Sequence, residues 1–259
     1  MLFCSFLKNG TKMNILSSDE TSEIMRIMAI PRFARYLKYC QNNKKAALEL
    51  YAYNMQISSA FIPALNVLEI VLRNAIAEQI VKLYGIEWNK NKAFINTLPN
   101  HYRIKLSDLS IKYDDYNKII PELGLGLWGS MLRKKYIHTI CKGDLCQIFP
   151  HLPHDINATY LHQNVEKIRL LRNRIAHYEP IFHLDLLLNY TNILDIIKWR
   201  CNITSAWLND TQMVTKNMIL NHHEKTHSDK IKMGFLTSNV SEGEQFSYPT
   251  IPKDPQIPI

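Results

Sequence analysis

Side chains that could hold an anion and transfer a proton lie at the end of one predicted helix. They are Arg172, Asn173 and His177, in the stretch that closes at Pro180. At about 100° per residue, Asn173 and His177 are neighbours on the helix surface, and the histidine falls in the last turn. An imidazole exchanges a proton near neutral pH and a guanidinium keeps its charge. This set could therefore do acid–base chemistry beside an anion.

The same helix has an apolar face that predicts how it packs. Five apolar residues fall within about 60° of one direction, namely Leu161, Val165, Ile168, Leu171 and Ile175. Glu166, Arg169, Asn173 and His177 form a polar stripe on the other side, facing solvent or a partner. Arg172 projects about 40° from the centre of the apolar face. Its charge therefore needs a partner or a route to a cleft.

Two interpretations of this motif stay open. In the structural one, His177 bonds carbonyl groups at the helix end and Arg172 forms a salt bridge; in the functional one, both face a ligand. On an earlier predicted helix, Glu69 and Arg73 are four residues apart. We hypothesise that Glu69 pairs with Arg172 or Arg73 and fixes the site. A purely structural Glu69–Arg73 ion pair is the alternative.

The elements that position these residues are predicted to be helices. Apolar residues recur at helical spacing between residues 19 and 208, period-2 strands are absent, and glycine is scarce at 8 of 259 residues. The predicted helices span residues 19–30, 32–40, 44–62, 64–84, 102–118, 128–141, 156–178 and 183–208, with a kink or break at Pro63 and an apolar loop over 123–128. The predicted fold is an all-α bundle with antiparallel neighbours.

Charge and composition divide the chain into three parts. Residues 1–208 carry 26 Lys and Arg against 17 Asp and Glu, a net of +9, whereas residues 209–259 carry 5 and 6, a net of −1. The first 18 residues are weakly patterned, residues 19–208 form the predicted helical domain, and residues 209–259 are predicted to be a disordered tail. The basic helical body points to an acidic partner.

Several classes of protein are disfavoured. No secretory signal is recognised and no apolar run approaches the roughly 18 residues of a spanning helix, so a cytoplasmic protein without a membrane segment is predicted. Five scattered cysteines predict reduced thiols, most of them buried, and the four tryptophans are assigned to the core. Metal-ligand spacings, metalloprotease and serine-hydrolase motifs and phosphate loops are lacking, so neither a metal nor a cofactor is predicted.

A family resemblance follows from the motif and its surroundings. Arg172-Asn173 with His177 matches the R-x4-6-H motif of HEPN domains, and residues 171–180 resemble the Abi-like (abortive infection) branch. Further segments resemble that branch in its order: 31–37, 47–54, 68–75, 84–88 and 126–128, within a span of about 24–205. The resemblance implies a HEPN-like helical bundle with additional N-terminal helices, usually dimeric.

The resemblance also implies a function. Many HEPN proteins are metal-independent endoribonucleases, toxins or antiphage effectors whose dimer joins two motif helices. It implies that His177 acts as base or acid, Arg172 holds the scissile phosphate and Asn173 orients the histidine or the ribose. Arg169 and Arg174 are the candidate RNA-binding residues, Glu69, Arg73, Tyr178 and Glu179 the supporting residues, and the basic run 133–135 a solvated face or an RNA contact.

RNA and a second copy of the chain are the expected partners. Cleavage is expected to leave 2′,3′-cyclic phosphate and 5′-hydroxyl ends. The alternative is a non-catalytic HEPN module that binds RNA, a nucleotide or a partner protein. An intermediate possibility is a ribonuclease restrained by an antitoxin or another regulatory protein.

Overall fold

Helices make up the regular structure of the chain. The computed structural model describes residues 16–211 and 214, which contain eleven α-helices, three short 3-10 helices and no strand. The predicted all-α class is confirmed. These residues belong to the first of two units, 1–216 and 217–259. Most of the predicted N-terminal segment and of the predicted tail lies outside the described residues.

The chain begins with two short helices joined by a turn. Helix α1 (Ser18–Ile27) has a capping box in which Ser17 and Glu20 each accept a hydrogen bond from the other's backbone N–H. A 3-10 turn (Ile30–Phe33) leads into α2 (Ala34–Tyr39). Both helices are shorter than predicted, because the proline-containing turn takes up the residues between them.

Helix α3 (Lys44–Tyr84) runs without interruption for 41 residues. Of the kink or break predicted at Pro63, the break is wrong, because the helix continues through the proline. Pro63 and Ser59 are both exposed, so the Ser59 carbonyl that loses its amide donor faces water. Phe61 and Ala64, on either side of the proline, are fully buried and hold the helix in place.

Helix α3 is the central element of the described domain. It packs against α1, α2 and the five helices that lie between residues 116 and 200. By length and composition α3 is also apolar enough to cross a membrane, although 39% of its most apolar window is buried inside the protein. The core helix of a soluble protein has the same composition, and the absence of a membrane segment stays a prediction.

Five short helices form the middle of the chain: α4 (Lys92–Ile95), α5 (Asn100–Lys112), α6 (Tyr116–Glu122), α7 (Gly124–Met131) and α8 (Lys134–Cys141). The predicted helices 102–118 and 128–141 are therefore each divided. The predicted loop at 123–128 is wrong, because α7 covers most of it. Gly124, at φ +66°, turns the chain from α6 into α7. Helix α7 is buried on most sides, so it lacks the one-sided pattern by which a helix is recognised in sequence.

Three longer helices complete the domain. Helix α9 (Ala158–Ala176) carries the motif, and α10 (Leu186–Arg200) and α11 (Asn202–Thr211) follow it. The predicted helix 183–208 is two helices, because Cys201 adopts an extended conformation between them. Helix α10 packs against α3, α9 and α11. Since α9 also packs against α3, the motif helix and the helix that follows it both contact the central helix.

Three of the four tryptophans lie in the core, as predicted. Trp88 and Trp128 are fully buried and Trp199 is nearly so. Trp207 is 55% exposed, and its assignment to the core was wrong. It lies on α11, the last helix described, where Ser205 and Leu208 form the buried side instead.

The cysteines are less buried than predicted. Of the four described, Cys141 is buried, Cys40 and Cys201 are half-buried and Cys146 is exposed. The expectation that most are buried is therefore wrong for the described residues. All four are free thiols, and Cys146 is exposed because it lies in a 3-10 turn at the surface.

Candidate functional site

The motif lies on the C-terminal half of α9, and the packing of this helix fixes its position. The side chain of Asn157 caps the helix by accepting a hydrogen bond from the Tyr160 amide at 3.0 Å. The apolar face predicted from sequence is confirmed, since each of its members is at most 8% exposed: Leu161, Val165, Ile168, Leu171 and Ile175. Burial of these side chains against α3, α7, α8 and α10 holds the helix in one orientation.

Arg172 and His177 are exposed and Asn173 is half-buried. Neither the Arg172 guanidinium nor the His177 imidazole forms a hydrogen bond or ion pair with another residue of the described chain. The structural interpretation required a salt bridge for one and a bond to helix-end carbonyls for the other, and neither is formed. The charged end of Arg172 reaches solvent, so water solvates it in place of a protein partner.

The backbone reverses directly after the motif. The Tyr178 amide donates to the Ile175 carbonyl at 3.1 Å and the Glu179 amide to the Arg174 carbonyl at 2.8 Å, the two bonds of a Schellman motif. Tyr178 occupies the left-handed position at φ +56°, where glycine is usual. An L-residue there costs about 1–2 kcal/mol. This bulky side chain is 73% exposed and directly follows His177.

A buried asparagine on α3 holds the segment that follows the motif. The Oδ1 atom of Asn54 accepts hydrogen bonds from the backbone amides of Ile181 at 2.7 Å and Phe182 at 3.1 Å. Its Nδ2 atom donates to the Glu179 carbonyl at 3.5 Å. Asn54 is 4% exposed, so water cannot easily replace these bonds. It therefore fixes the chain a few residues beyond His177.

Aromatic packing fixes the same segment from the other side. The Phe182 ring lies 5.2 Å from the Tyr36 ring and 5.1 Å from the Tyr39 ring, measured between centroids. Tyr36 in turn packs at 5.2 Å against Tyr51 of α3, which also contacts Phe33. Such pairs add to the stabilisation from burial. Helices α2 and α3 thus anchor the end of the motif through Phe182.

The two arginines predicted to bind RNA each have an acidic neighbour. Arg169 donates from Nε to both carboxylate oxygens of Glu166, at 3.2 and 3.0 Å. Arg174 Nη1 lies 3.7 Å from the Glu179 carboxylate, which the sequence had assigned only a supporting role. Among Arg169, Arg172 and Arg174, Arg172 is thus the one without an acidic partner in the described chain.

The predicted pairing of Glu69 is not formed. Glu69 and Arg73 are both half-buried on α3, but no ion pair within 4.0 Å joins Glu69 to Arg73 or to Arg172 in the described chain. The Nε atom of Arg73 is enclosed without a hydrogen-bond partner there. Their i, i+4 spacing puts the two side chains on one face of α3, but proximity on a helix does not ensure a bond.

Sequence reasoning missed His183 as a neighbour of the motif. His183 is exposed to solvent, but desolvation of its imidazole lowers the pKa of that ring, and the positive charges of Arg35 and Arg174 lower it further. Its ring packs at 5.4 Å against Phe182, the anchoring residue. A lowered pKa favours the uncharged form of this second imidazole, which can accept a proton. The sequence showed only that a second histidine follows His177 by six residues, beyond Pro180.

No protein-family model, no curated protein and no solved structure matches the chain. Among the described residues, no group of three or more His, Cys, Asp and Glu side chains could hold a metal ion. The groups of the site are a free guanidinium and a free imidazole on a fixed helix end, with a second imidazole, whose pKa is lowered, close to Arg174.

Proposed function

We propose that this chain is a metal-independent endoribonuclease of the HEPN type, in its Abi-like branch, acting in the cytoplasm as a toxin-type or antiphage effector. The observation that carries the proposal is the state of Arg172 and His177. Both are exposed on a fixed helix end and unpaired within the described chain. A free guanidinium and a free imidazole suit a phosphodiester, which needs charge neutralisation and proton transfer.

The proposed reaction is an attack by the RNA on its own backbone. A base removes the proton of the 2′-hydroxyl, the 2′-oxygen bonds to phosphorus, and the P–O5′ bond breaks. An acid protonates the departing 5′-oxygen, which leaves a 2′,3′-cyclic phosphate and a 5′-hydroxyl. Arg172 holds the non-bridging oxygens through two hydrogen bonds, His177 transfers a proton, and Asn173 orients the imidazole or the ribose.

A homodimer would supply what one motif lacks. The reaction uses a base and an acid, whereas each chain has one motif histidine, His177. Two exposed α9 ends brought to a shared cleft by twofold symmetry would provide both groups. Within each chain, His183 is a further imidazole beside Arg174, and its neutral form suits the role of base.

The Abi-like assignment is supported by where the resembling segments lie. Tyr36 of segment 31–37 and Asn54 of segment 47–54 contact the segment that follows the motif, and Tyr51 packs against Tyr36. Parts of the chain more than 120 residues from Phe182 in sequence, such as Asn54, therefore support the same helix end.

The test is cleavage of total RNA by purified full-length protein in EDTA, followed by analysis of the product ends. Wild type is expected to leave 2′,3′-cyclic phosphate ends. His177→Ala and Arg172→Ala are expected to lose about 100-fold or more in rate. The matched controls are His154→Ala, an exposed histidine outside the site, and Lys167→Ala, an exposed cation on the same helix. Both should keep wild-type activity.

The same variants separate the alternative function. Undiminished cleavage by His177→Ala would rule out the proposed mechanism. RNA, nucleotide or protein binding without cleavage, unchanged by His177→Ala, would instead identify a non-catalytic HEPN module. In cells, wild type is expected to arrest growth and His177→Ala is not. Relief of that arrest by a co-expressed neighbouring gene would identify the antitoxin or regulatory partner.

A further inference from the structure

A second polar cluster lies along the N-terminal half of α9, away from the motif. The Nε atom of Arg133, which precedes α8, donates to Nε2 of His162 at 3.4 Å. The Nδ1 atom of His162 lies 3.1 Å from the Gly129 carbonyl. A carbonyl only accepts, so Nδ1 carries the proton and Nε2 is the acceptor for Arg133. The arginine is thus held in place by a ring nitrogen of His162 rather than by a carboxylate.

Two glycines of α7 bring the walls of this cluster together. A Cβ atom on Gly126 would lie 3.1 Å from the Tyr102 hydroxyl. A Cβ atom on Gly129 would lie 3.0 Å from Cγ1 of Val165 and 3.6 Å from Oε1 of Glu166. Helices α5, α7 and α9 therefore approach one another more closely than side chains at these positions would allow. The cluster is built into the packed domain.

One positive charge of the cluster remains available to a ligand. Glu166 neutralises Arg169 through paired hydrogen bonds. Arg133 is exposed and has no carboxylate within 4.0 Å among the described residues. Only its Nε atom is used by His162, so both Nη groups can donate to an anion.

An aromatic surface adjoins this charge. The rings of Tyr102 and His101 lie 4.0 Å apart. The Tyr102 hydroxyl lies against Gly126, one turn of α7 before the Gly129 carbonyl that contacts the His162 ring, and burial raises the pKa of Tyr102. An aromatic ring beside a free guanidinium offers the two contacts that a nucleotide uses, stacking for the base and charge for the phosphate.

The cluster and the motif residues Asn173 and His177 lie at the two ends of one stripe on α9. His162, Glu166, Arg169, Asn173 and His177 follow one another at intervals of three or four residues, which keeps them on one face. The first four are half-buried. At 1.5 Å per residue the stripe is about 22 Å long, enough for several nucleotides of an extended strand.

We propose that this stripe is the path of a single-stranded RNA. Arg133 binds one phosphate of the strand, and a neighbouring base stacks on Tyr102. Another phosphate, further along the strand, is bound by Arg172. The proposal rests on the endoribonuclease function and adds to it a second contact for the strand, at Arg133 and Tyr102, away from the motif. A duplex fits less well, because its bases are stacked and their faces are not accessible to Tyr102.

The test measures binding separately from cleavage. The probes are a 2′-O-methyl 12-mer of uridylate, which cannot be cleaved through its 2′-oxygen, the corresponding dinucleotide, a 12-base-pair duplex and inorganic phosphate. The variant is full-length Arg133→Gln, and the matched control is Lys92→Gln, which removes an exposed, unpaired cation of α4 in the described chain. Thermal unfolding checks that each variant is folded.

Arg133→Gln is expected to bind the 12-mer about tenfold more weakly than wild type. The slope of its log affinity against log salt concentration should be smaller by about 1, as for the loss of one phosphate contact. Lys92→Gln should bind as wild type does. The dinucleotide and phosphate should bind both variants equally. Equal 12-mer affinity of Arg133→Gln and wild type would overturn the proposal. The proposal would also be overturned if Arg133→Gln lost as much affinity for the dinucleotide as for the 12-mer, or lost affinity only for inorganic phosphate. Tighter binding of the duplex than of the 12-mer, or no binding of the 12-mer by wild type, would overturn it as well.

Failure of this inference is distinguishable from failure of the proposed function. If His177→Ala abolishes cleavage while Arg133→Gln binds the 12-mer normally, the site stands and the path along α9 does not. If Arg133→Gln loses affinity for the 12-mer but wild type does not cleave RNA, the chain binds a single strand without cutting it. Tyr102→Leu should show the same length-dependent loss as Arg133→Gln.

Discussion

Replacing Asn54 with leucine should release the segment that follows the motif. Leucine is close to asparagine in size but cannot accept the amide hydrogen bonds of Ile181 and Phe182. Both residues are at most 2% exposed, so their amides would be left without water or another acceptor. The perturbation therefore removes hydrogen bonds while keeping the volume of the core.

The magnitude follows from the two bonds. A buried donor that loses its partner costs about 1–3 kcal/mol, and the segment can relax to recover part of this. We expect the free energy of unfolding to fall by about 2–4 kcal/mol and the midpoint of thermal unfolding to fall by about 5–15 °C for a domain of this size. RNA cleavage should fall more steeply than stability, because the position of His177 depends on the same segment.

Denaturant unfolding, amide hydrogen exchange and cleavage would be measured on the same samples. The control is Gln56→Leu, two residues away on the exposed side of α3. In wild type the amides of Ile181 and Phe182 should exchange slowly, and in Asn54→Leu they should exchange far faster than those of the α3 core. If they stay protected, and unfolding matches the Gln56→Leu control, Asn54 does not hold the motif and the reasoning fails.

Two further predictions concern residues next to the motif. Tyr178→Gly should raise the free energy of unfolding by about 1 kcal/mol, because glycine adopts φ +56° without the steric cost. Tyr178→Ala, which removes the ring but keeps that cost, should not; an equal gain in both variants would exclude relief of strain. For His183, the lowered pKa means that the unfolded state binds the proton more readily. Stability should therefore fall as the pH drops from about 7 to 5, and urea unfolding of His183→Gln should show a flatter profile; an unchanged slope would contradict this.

The sequence predicted the helices whose faces differ and missed those whose faces do not. The apolar face of α9 was correct to the residue, because one side packs on the core and the other faces solvent. Helix α7 was taken for a loop since it is apolar almost throughout. The continuity of α3 through Pro63 depends on solvent reaching the Ser59 carbonyl, and local sequence does not show which way that residue faces.

The chemical residues of the site were predicted, but their partners were not. Arg172, Asn173 and His177 were identified from type and spacing on a single helix. Asn54 and His183 depend on contacts between distant segments, and Asn54 is 127 residues from Ile181. Spacing along one helix cannot show such contacts. The same limit explains the Glu69 pairing, for which helical geometry permitted a bond that the packing does not form.

The charge of the chain does not by itself locate the site. Residues 1–208 carry the positive charge of the chain, a net of +9, along their whole length, and two of the three arginines around the motif are paired with Glu166 and Glu179. Arg172 and His177 differ from their neighbours because their polar groups have no partner in the described chain while their backbone is firmly held. An enzyme needs groups whose hydrogen-bonding capacity is kept for the substrate, on a support that does not move. Unused capacity on a rigid helix end therefore marks this site better than the density of positive charge does.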